Sequence, residues 1–91
     1  MPFMLTKIHV EDYDAWKPMF DQGRTSVRSA AKGHRILRSV EDPNELFIQV
    51  EFDSTDDARA AHDELLASGA LDRVEVRSAP TVAEMADAVS Y

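Results

Sequence analysis

The chain has 91 residues, no cysteine and a formal net charge of −7 at pH 7, which predicts one domain over residues 1–91 with a small core and no disulfide. An acidic surface repels phosphate backbones, so nucleic acid is excluded as the expected partner. Because no run of about 18 apolar residues occurs in the chain, we expect a cytoplasmic protein without a membrane-spanning segment.

The first predicted element is a strand over residues 3–10, "FMLTKIHV". Its β-branched and aromatic residues favour extended backbone, and neither glycine nor proline interrupts it. Side chains alternate across a strand, so one face would carry Met4, Thr6, Ile8 and Val10, and the other would carry Phe3, Leu5, Lys7 and His9.

A helix is predicted next. Asp12 is a typical N-cap residue, and Asp14 would lie in the first turn, where the helix dipole favours acidic groups. Because Pro18 disfavours a helix interior, we expect a short turn at 13–17 and the main helix over 18–31, with Gly33 as its C-terminal cap. Apolar or small residues recur at spacings of three and four: Trp16, Met19, Phe20, Gly23, Val27 and Ala31.

Two further strands are predicted over 34–41 and 45–52, "HRILRSVE" and "ELFIQVEF", joined by the turn-forming "DPN". If Asp42 and Glu45 close this turn, one face of the hairpin pairs Val40 with Phe47, Arg38 with Gln49 and Ile36 with Glu51. A slip of one residue would place Leu37 and Ser39 on that face instead.

The last third of the chain predicts a helix over 56–67, capped by Ser54 or Thr55 and followed by a short helical turn in "ALDRVE". The tail "PTVAEMADAV" (80–89) suits a helix by propensity. A strand there would complete a ferredoxin-like βαββαβ topology. We therefore predict an α+β protein with a four-stranded antiparallel sheet and both helices on one side.

The sheet face away from the helices would combine apolar residues with charged ones. It is too apolar to face water and too charged for a dry core. We therefore predict a homodimer in which two sheets close face to face over a pocket for a small apolar or aromatic ligand. The mixed set consists of Phe3, Leu5, Ile36, Val40 and Phe47 together with Lys7, His9, Arg38, Gln49 and Glu51.

Three segments, "HVEDYDAWKPMFD", "RILRSVEDPNELFIQVEF" and "APTV", resemble the antibiotic-biosynthesis-monooxygenase-like and cyclase-like proteins of the dimeric α+β barrel superfamily. The resemblance spans residues 3 to 88. It implies a ferredoxin-like protomer that pairs into a barrel, with a pocket between sheet and helices. The Asn, Trp and His constellation of the haem-degrading relatives does not transfer, because Trp16 stands near a helix start.

The candidate catalytic residues are His9, as a general base, and Glu51, which would orient it. No metal site is expected, because three dispersed histidines without cysteine do not provide convergent ligands. The candidate substrate-binding residues are Arg38, Gln49, Lys7, Tyr13 and Trp16.

These residues predict a pocket protein that acts without a cofactor, as a monooxygenase or a cyclase, on an aromatic or polyketide-like metabolite. Arg38 and Gln49 would hold an oxyanion formed on the substrate. The alternative is a non-catalytic dimeric module that binds a ligand or only assembles. An RNA-recognition domain of the same topology is excluded, because "ELFIQVEF" lacks the basic-Gly-aromatic signature and the net charge is negative.

Overall fold

The computed structural model describes residues 1–22 and 30–91. Within these ranges, four strands form one antiparallel sheet in the spatial order β2-β3-β1-β4. This is the predicted ferredoxin-like βαββαβ arrangement. The elements are β1 (Pro2–His9), α1 (Tyr13–Gln22), β2 (Ala31–Arg38), β3 (Glu45–Phe52), α2 (Thr55–Ser68), a 3₁₀ helix (Ala70–Arg73) and β4 (Glu75–Glu84).

The last strand confirms the predicted strand for residues 80–84 of the tail. It starts at Glu75, five residues before the predicted 80, and ends at Glu84. Strand β4 pairs with the central strand β1 and forms one edge of the sheet. The tail therefore contributes ladder hydrogen bonds, which outweigh the helix propensity of its alanines and glutamates.

Both helices cover the same face of the sheet, and the core lies between the helices and that face. The alternation predicted for β1 and β3 is confirmed, since every second residue of each strand is buried. Burial of a Val, Leu, Ile or Phe side chain contributes about 1.5–3 kcal/mol. The buried core consists of Met4, Ile8, Val10, Leu46, Ile48, Val50, Phe52, Ala58 and Ala61.

Helix α1 begins where the Asp12 cap predicts. The backbone N–H of Asp14 donates to Oδ1 of Asp12 at 3.0 Å. The helix then continues from Tyr13 through Pro18 to Gln22, so the predicted division into a turn at 13–17 and a helix from 18 is wrong. Proline removes one backbone hydrogen bond inside the helix, and packing of the helix against the core offsets that loss.

The predicted extension of this helix through Gly23 and Val27 lies outside the described residues. Its predicted end is wrong, because Ala31 is the first residue of β2. Gly33 is a strand residue and not a helix cap. A Cβ added to it would meet no atom within 4 Å, so a side chain at this position would have open space.

Helix α2 is close to its prediction. Ser54 is the N-cap, and its side chain accepts a hydrogen bond from the backbone N–H of Asp57 at 3.1 Å. The helix ends at Ser68, where Gly69 adopts a left-handed conformation with φ 75°. The 3₁₀ helix over Ala70–Arg73 confirms the short helical turn predicted after it.

The hairpin between β2 and β3 has a different register from the one predicted. The turn itself forms as expected, because the N–H of Glu45 donates to the carbonyl oxygen of Asp42 at 3.0 Å. However, β2 ends at Arg38, and Phe47 pairs with Leu37 instead of Val40, a shift of three residues. An odd shift exchanges the two faces of a strand.

The shifted register determines which side chains of β2 face the helices and which lie on the opposite side of the sheet. Ile36 packs against the core and Val40 is 98% exposed in the connecting loop. Leu37 lies on the face away from the helices, as the one-residue slip predicted. We call this face the open face; it carries Phe3, Leu5, Lys7 and His9 of β1, Gly33, Arg35 and Leu37 of β2, and Glu45, Phe47, Gln49 and Glu51 of β3.

Candidate functional site

Four of the predicted site residues lie on the open face, as expected: His9, Lys7, Gln49 and Glu51. They do not converge on one point. His9 pairs with Glu45 across the strands, whereas Glu51 pairs with Phe3. The two pairs lie six positions apart along β1, which is about 20 Å at the rise of an antiparallel strand. His9 and Glu51 of the same chain therefore lie too far apart to form the predicted pair.

His9 has a different acidic neighbour. Its Nε2 atom lies 3.2 Å from Oδ2 of Asp42, in the loop between β2 and β3. The same loop is tied to the end of β1 by backbone and side-chain bonds from Asn44, whose carbonyl oxygen accepts from Val10 N–H and whose Nδ2 donates to the carbonyl oxygen of Glu11. His9 thus contributes to the attachment of the hairpin loop to the sheet.

Lys7 belongs to a charged network on the open face. Its Nζ lies 3.6 Å from Oε1 of Glu45, and Nε of Arg77 lies 3.6 Å from the same oxygen. The ammonium group also lies 5.0 Å from the ring centroid of Phe47. A guanidinium N–H of Arg77 also donates to Oε1 of Glu75 at 2.8 Å. Two cations and two carboxylates therefore balance in charge beside an aromatic ring.

Arg38 lies on the other side of the sheet from Gln49 and Glu51, because of the register shift. Its guanidinium group stacks on the Tyr13 ring at 4.3 Å, and its Nε donates to the carbonyl oxygen of Pro43 at 2.9 Å. The prediction that Arg38 joins Gln49 in an oxyanion clamp is therefore wrong in placement.

The aromatic residues of α1 form a row along its inner side. The ring of Tyr13 lies 6.0 Å from that of Trp16, and the ring of Trp16 lies 4.9 Å from that of Phe20. His34 of β2 meets Phe20 edge-on at 5.0 Å. Tilted and edge-on contacts of this kind are favourable for aromatic rings. The row forms one wall of a cavity.

This cavity, of about 220 Å³, lies between the sheet and the helices, and we call it the helix-side cavity. Apolar side chains dominate its walls, and Trp16 is the one predicted site residue that lines it. Its lining consists of Met4, Thr6, Ile8, Ile48 and Val50 from the sheet, Trp16, Met19, Phe20 and Gln22 from α1, Leu65 from α2, and Ala70, Leu71, Arg73 and Val74 from the segment after α2.

Three polar residues of the lining, Thr6, Gln22 and Arg73, were not predicted from the sequence. Thr6 is 9% exposed, and its hydroxyl has no hydrogen-bond partner within residues 1–22 and 30–91. Arg73 is exposed at the end of the 3₁₀ helix. The sequence could have indicated Thr6, because a threonine between Met4 and Ile8 interrupts an otherwise apolar strand face. No feature of the sequence indicates that Arg73 lines a cavity.

No three His, Asp or Glu side chains among the described residues are arranged to hold a metal ion. No helix in that part of the chain has the length and apolar character needed to span a bilayer.

No protein-family model and no curated protein matches the sequence. Solved structures do match the fold over nearly the whole chain. Three of these proteins carry the name "putative antibiotic biosynthesis monooxygenase". One from Deinococcus radiodurans is 15% identical with a TM-score of 0.65, covering 100% of this chain and 98% of its own.

The other two are equally distant in sequence. The protein from Chloroflexus aurantiacus is 14% identical with a TM-score of 0.65 and coverages of 98% and 96%. The protein from Bordetella bronchiseptica is 16% identical with a TM-score of 0.67 and coverages of 97%. The resemblance inferred from the sequence is therefore confirmed for the fold, which many unrelated functions can share.

Proposed function

We propose that this protein binds a small planar molecule in the helix-side cavity and oxidises it with molecular oxygen, without a cofactor. The observation that carries the proposal is the cavity itself, which is apolar, walled by Trp16 and Phe20, and large enough for a ligand. A cavity of about 150 Å³ suffices for benzene, so 220 Å³ accommodates a fused two-ring compound. The names of the structural neighbours support the choice of an oxygenase.

The lining favours an oxygenase over a cyclase. Its described residues include neither a histidine nor a carboxylate, and Arg73 is their one ionisable side chain. An aldol cyclisation needs a positioned base in the pocket. A phenol or enol that ionises readily needs only a dry wall and a cation near the developing charge.

The balanced reaction converts a methylene group that is activated by neighbouring rings into a carbonyl group. Loss of a proton to solvent gives a delocalised anion, which transfers electrons to O2 and takes a proton back from solvent when water leaves. One oxygen atom enters the product and the other leaves as water, so that CH2 and O2 yield C=O and H2O. In this scheme the aromatic wall of Trp16 and Phe20 orients the rings, and the apolar lining excludes water.

A homodimer is part of the proposal. The open face exposes Leu5, Leu37 and Phe47, each 38% to 49% exposed, and such contiguous apolar area is typical of an interface. It also carries Arg35 and Glu51, which make no ion pair with the described residues. In a two-fold symmetric contact, each of these charges could meet its opposite on a second copy.

The second candidate is a non-catalytic dimer that binds the same class of ligand. The absence of a base from the described lining supports it, since binding requires none. Oxygen consumption distinguishes the two functions. We expect a polycyclic phenol with a reactive methylene group to quench the fluorescence of Trp16 and to cause protein-dependent oxygen uptake. Quenching without uptake would establish the binding module, and no quenching would contradict both.

A further inference from the structure

We infer that the ligand of the helix-side cavity is an aromatic anion that carries a hydroxyl or carbonyl group at its buried end. Arg73 would bind the negative charge at the mouth, and Thr6 would bind the polar group at the sheet. This inference rests on the proposed function, because it names the substrate class of the same cavity.

The first observation is Thr6. Nine-tenths of this residue is buried, it lines the cavity, and no other described residue hydrogen-bonds its hydroxyl. A buried hydroxyl without a partner is unfavourable in the folded protein. A valine of the same shape would pack among Met4 and Ile8 without that penalty. A hydroxyl or carbonyl group on a ligand would supply the missing hydrogen bond, since a threonine hydroxyl both donates and accepts.

The second observation is Arg73. It is the ionisable residue among the described lining, and no carboxylate of the described chain lies within ion-pair distance of it. The chain carries 17 acidic residues and only ten lysines and arginines, so its overall field repels anions. An arginine that has no carboxylate partner among the described residues and lines an apolar cavity is suited to bind a carboxylate or phenolate.

The two residues occupy different parts of the cavity wall. Thr6 lies in the middle of the central strand β1, beneath the helices, whereas Arg73 follows α2 and is exposed. Apart from Gln22, the other residues of the lining are apolar, with Ile8 and Val74 among them. The lining therefore favours a flat, apolar ligand with one polar group at each end. A hydroxyaryl carboxylate or a related phenolate has this form.

The test uses three two-ring probes with the full-length protein: 6-hydroxy-2-naphthoate, its neutral amide 6-hydroxy-2-naphthamide, and 2-naphthoate, which lacks the hydroxyl. Binding is measured by calorimetry and by fluorescence of Trp16, the single tryptophan of the chain. We expect Arg73→Gln to weaken binding of the hydroxynaphthoate about tenfold, the effect of losing one charge-assisted hydrogen bond. The neutral amide should bind the variant and the parent alike, and Arg73→Lys should recover part of the affinity.

Arg59→Gln is the matched control, because it removes the same charge from an exposed residue of α2 outside the cavity lining. Thr6→Val should weaken the hydroxynaphthoate about tenfold but leave 2-naphthoate unaffected. Equal losses for charged and neutral probes, or equal effects of Arg59→Gln and Arg73→Gln, would overturn the inference while leaving the binding function intact. Failure of all three probes to bind the parent protein would overturn the proposed function as well.

Discussion

The guanidinium group of Arg38 lies 4.3 Å from the ring centroid of Tyr13, so the last residue of β2 is stacked on the first residue of α1. The same side chain donates from Nε to the carbonyl oxygen of Pro43 at 2.9 Å. Arg38 therefore joins the helix, the strand and the hairpin loop, on the side of the sheet opposite Gln49 and Glu51. This contact indicates a structural role for a residue that the sequence pattern predicted to bind substrate.

Arg38→Gln should lower the free energy of unfolding by about 1–2 kcal/mol, because it removes the stacking contact and the hydrogen bond to Pro43. Urea denaturation measures the change. Arg59→Gln serves as the comparison, since that exposed arginine has no ion pair or stacking contact among the described residues. Equal stability of the two variants would contradict the structural role.

His9→Gln should leave ligand affinity within about twofold of the parent, because distant sites act independently. The residue lies on the open face and contacts Asp42, whereas the cavity lies on the other side of the sheet. Loss of the partly exposed His9–Asp42 contact should lower stability by at most about 1 kcal/mol. Calorimetric titration with the naphthoate probes measures the ligand affinity of His9→Gln. A loss of binding would show that His9 contributes to the ligand site.

His62 connects α2 to β4, and its replacement by alanine should destabilise the protein by about 1–3 kcal/mol. Its Nε2 lies 3.1 Å from the carbonyl oxygen of Pro80 and its Nδ1 lies 3.1 Å from Oδ1 of Asp63. Thermal unfolding measures the effect. Asp63→Asn should change stability much less, because the Asp63 side chain is 81% exposed. A larger loss in Asp63→Asn than in His62→Ala would refute this account.

Leu65→Phe should block the helix-side cavity. Leu65 lines the cavity from α2, and a larger side chain there reduces the space available to a two-ring ligand. We expect at least an approximately tenfold loss of probe affinity with stability changed by less than about 1.5 kcal/mol. Leu66→Phe is the matched control, because Leu66 is 53% exposed and does not line the cavity. Unchanged affinity in Leu65→Phe would mean that the ligand binds elsewhere.

Leu37→Glu should convert the proposed dimer to a monomer. The substitution introduces a charge into the apolar part of the open face, where burial without a partner costs several kcal/mol. Light scattering should give twice the chain mass of 10.2 kDa for the parent and the single chain mass for the variant. Val40→Glu adds the same charge to a loop residue that is 98% exposed and should remain dimeric. A parent protein of single-chain mass at micromolar concentration would disprove the dimer.

The sequence by itself determined the elements whose pattern depends on local chemistry. The alternation of β1 and β3 follows from their own side chains, so Met4 and Val50 could be assigned to the core without a structure. Ser54 and Asp12 marked helix starts because an N-cap needs only its own side chain and the next turn. The order of the elements then indicated the ferredoxin-like topology.

Only the tertiary structure decided the pairing of β2 with β3 and, with it, the location of the site. The turn at Asp42 forms as its residues predict, but the extra loop residues before it shift the register by three, and this moves Arg38 to the helix side. The cavity also depends on distant parts of the chain, since Thr6 and Arg73 are 67 residues apart in sequence, counting from 6 to 73. Side-chain alternation is a property of one strand, whereas register and cavities depend on how separate elements pack together.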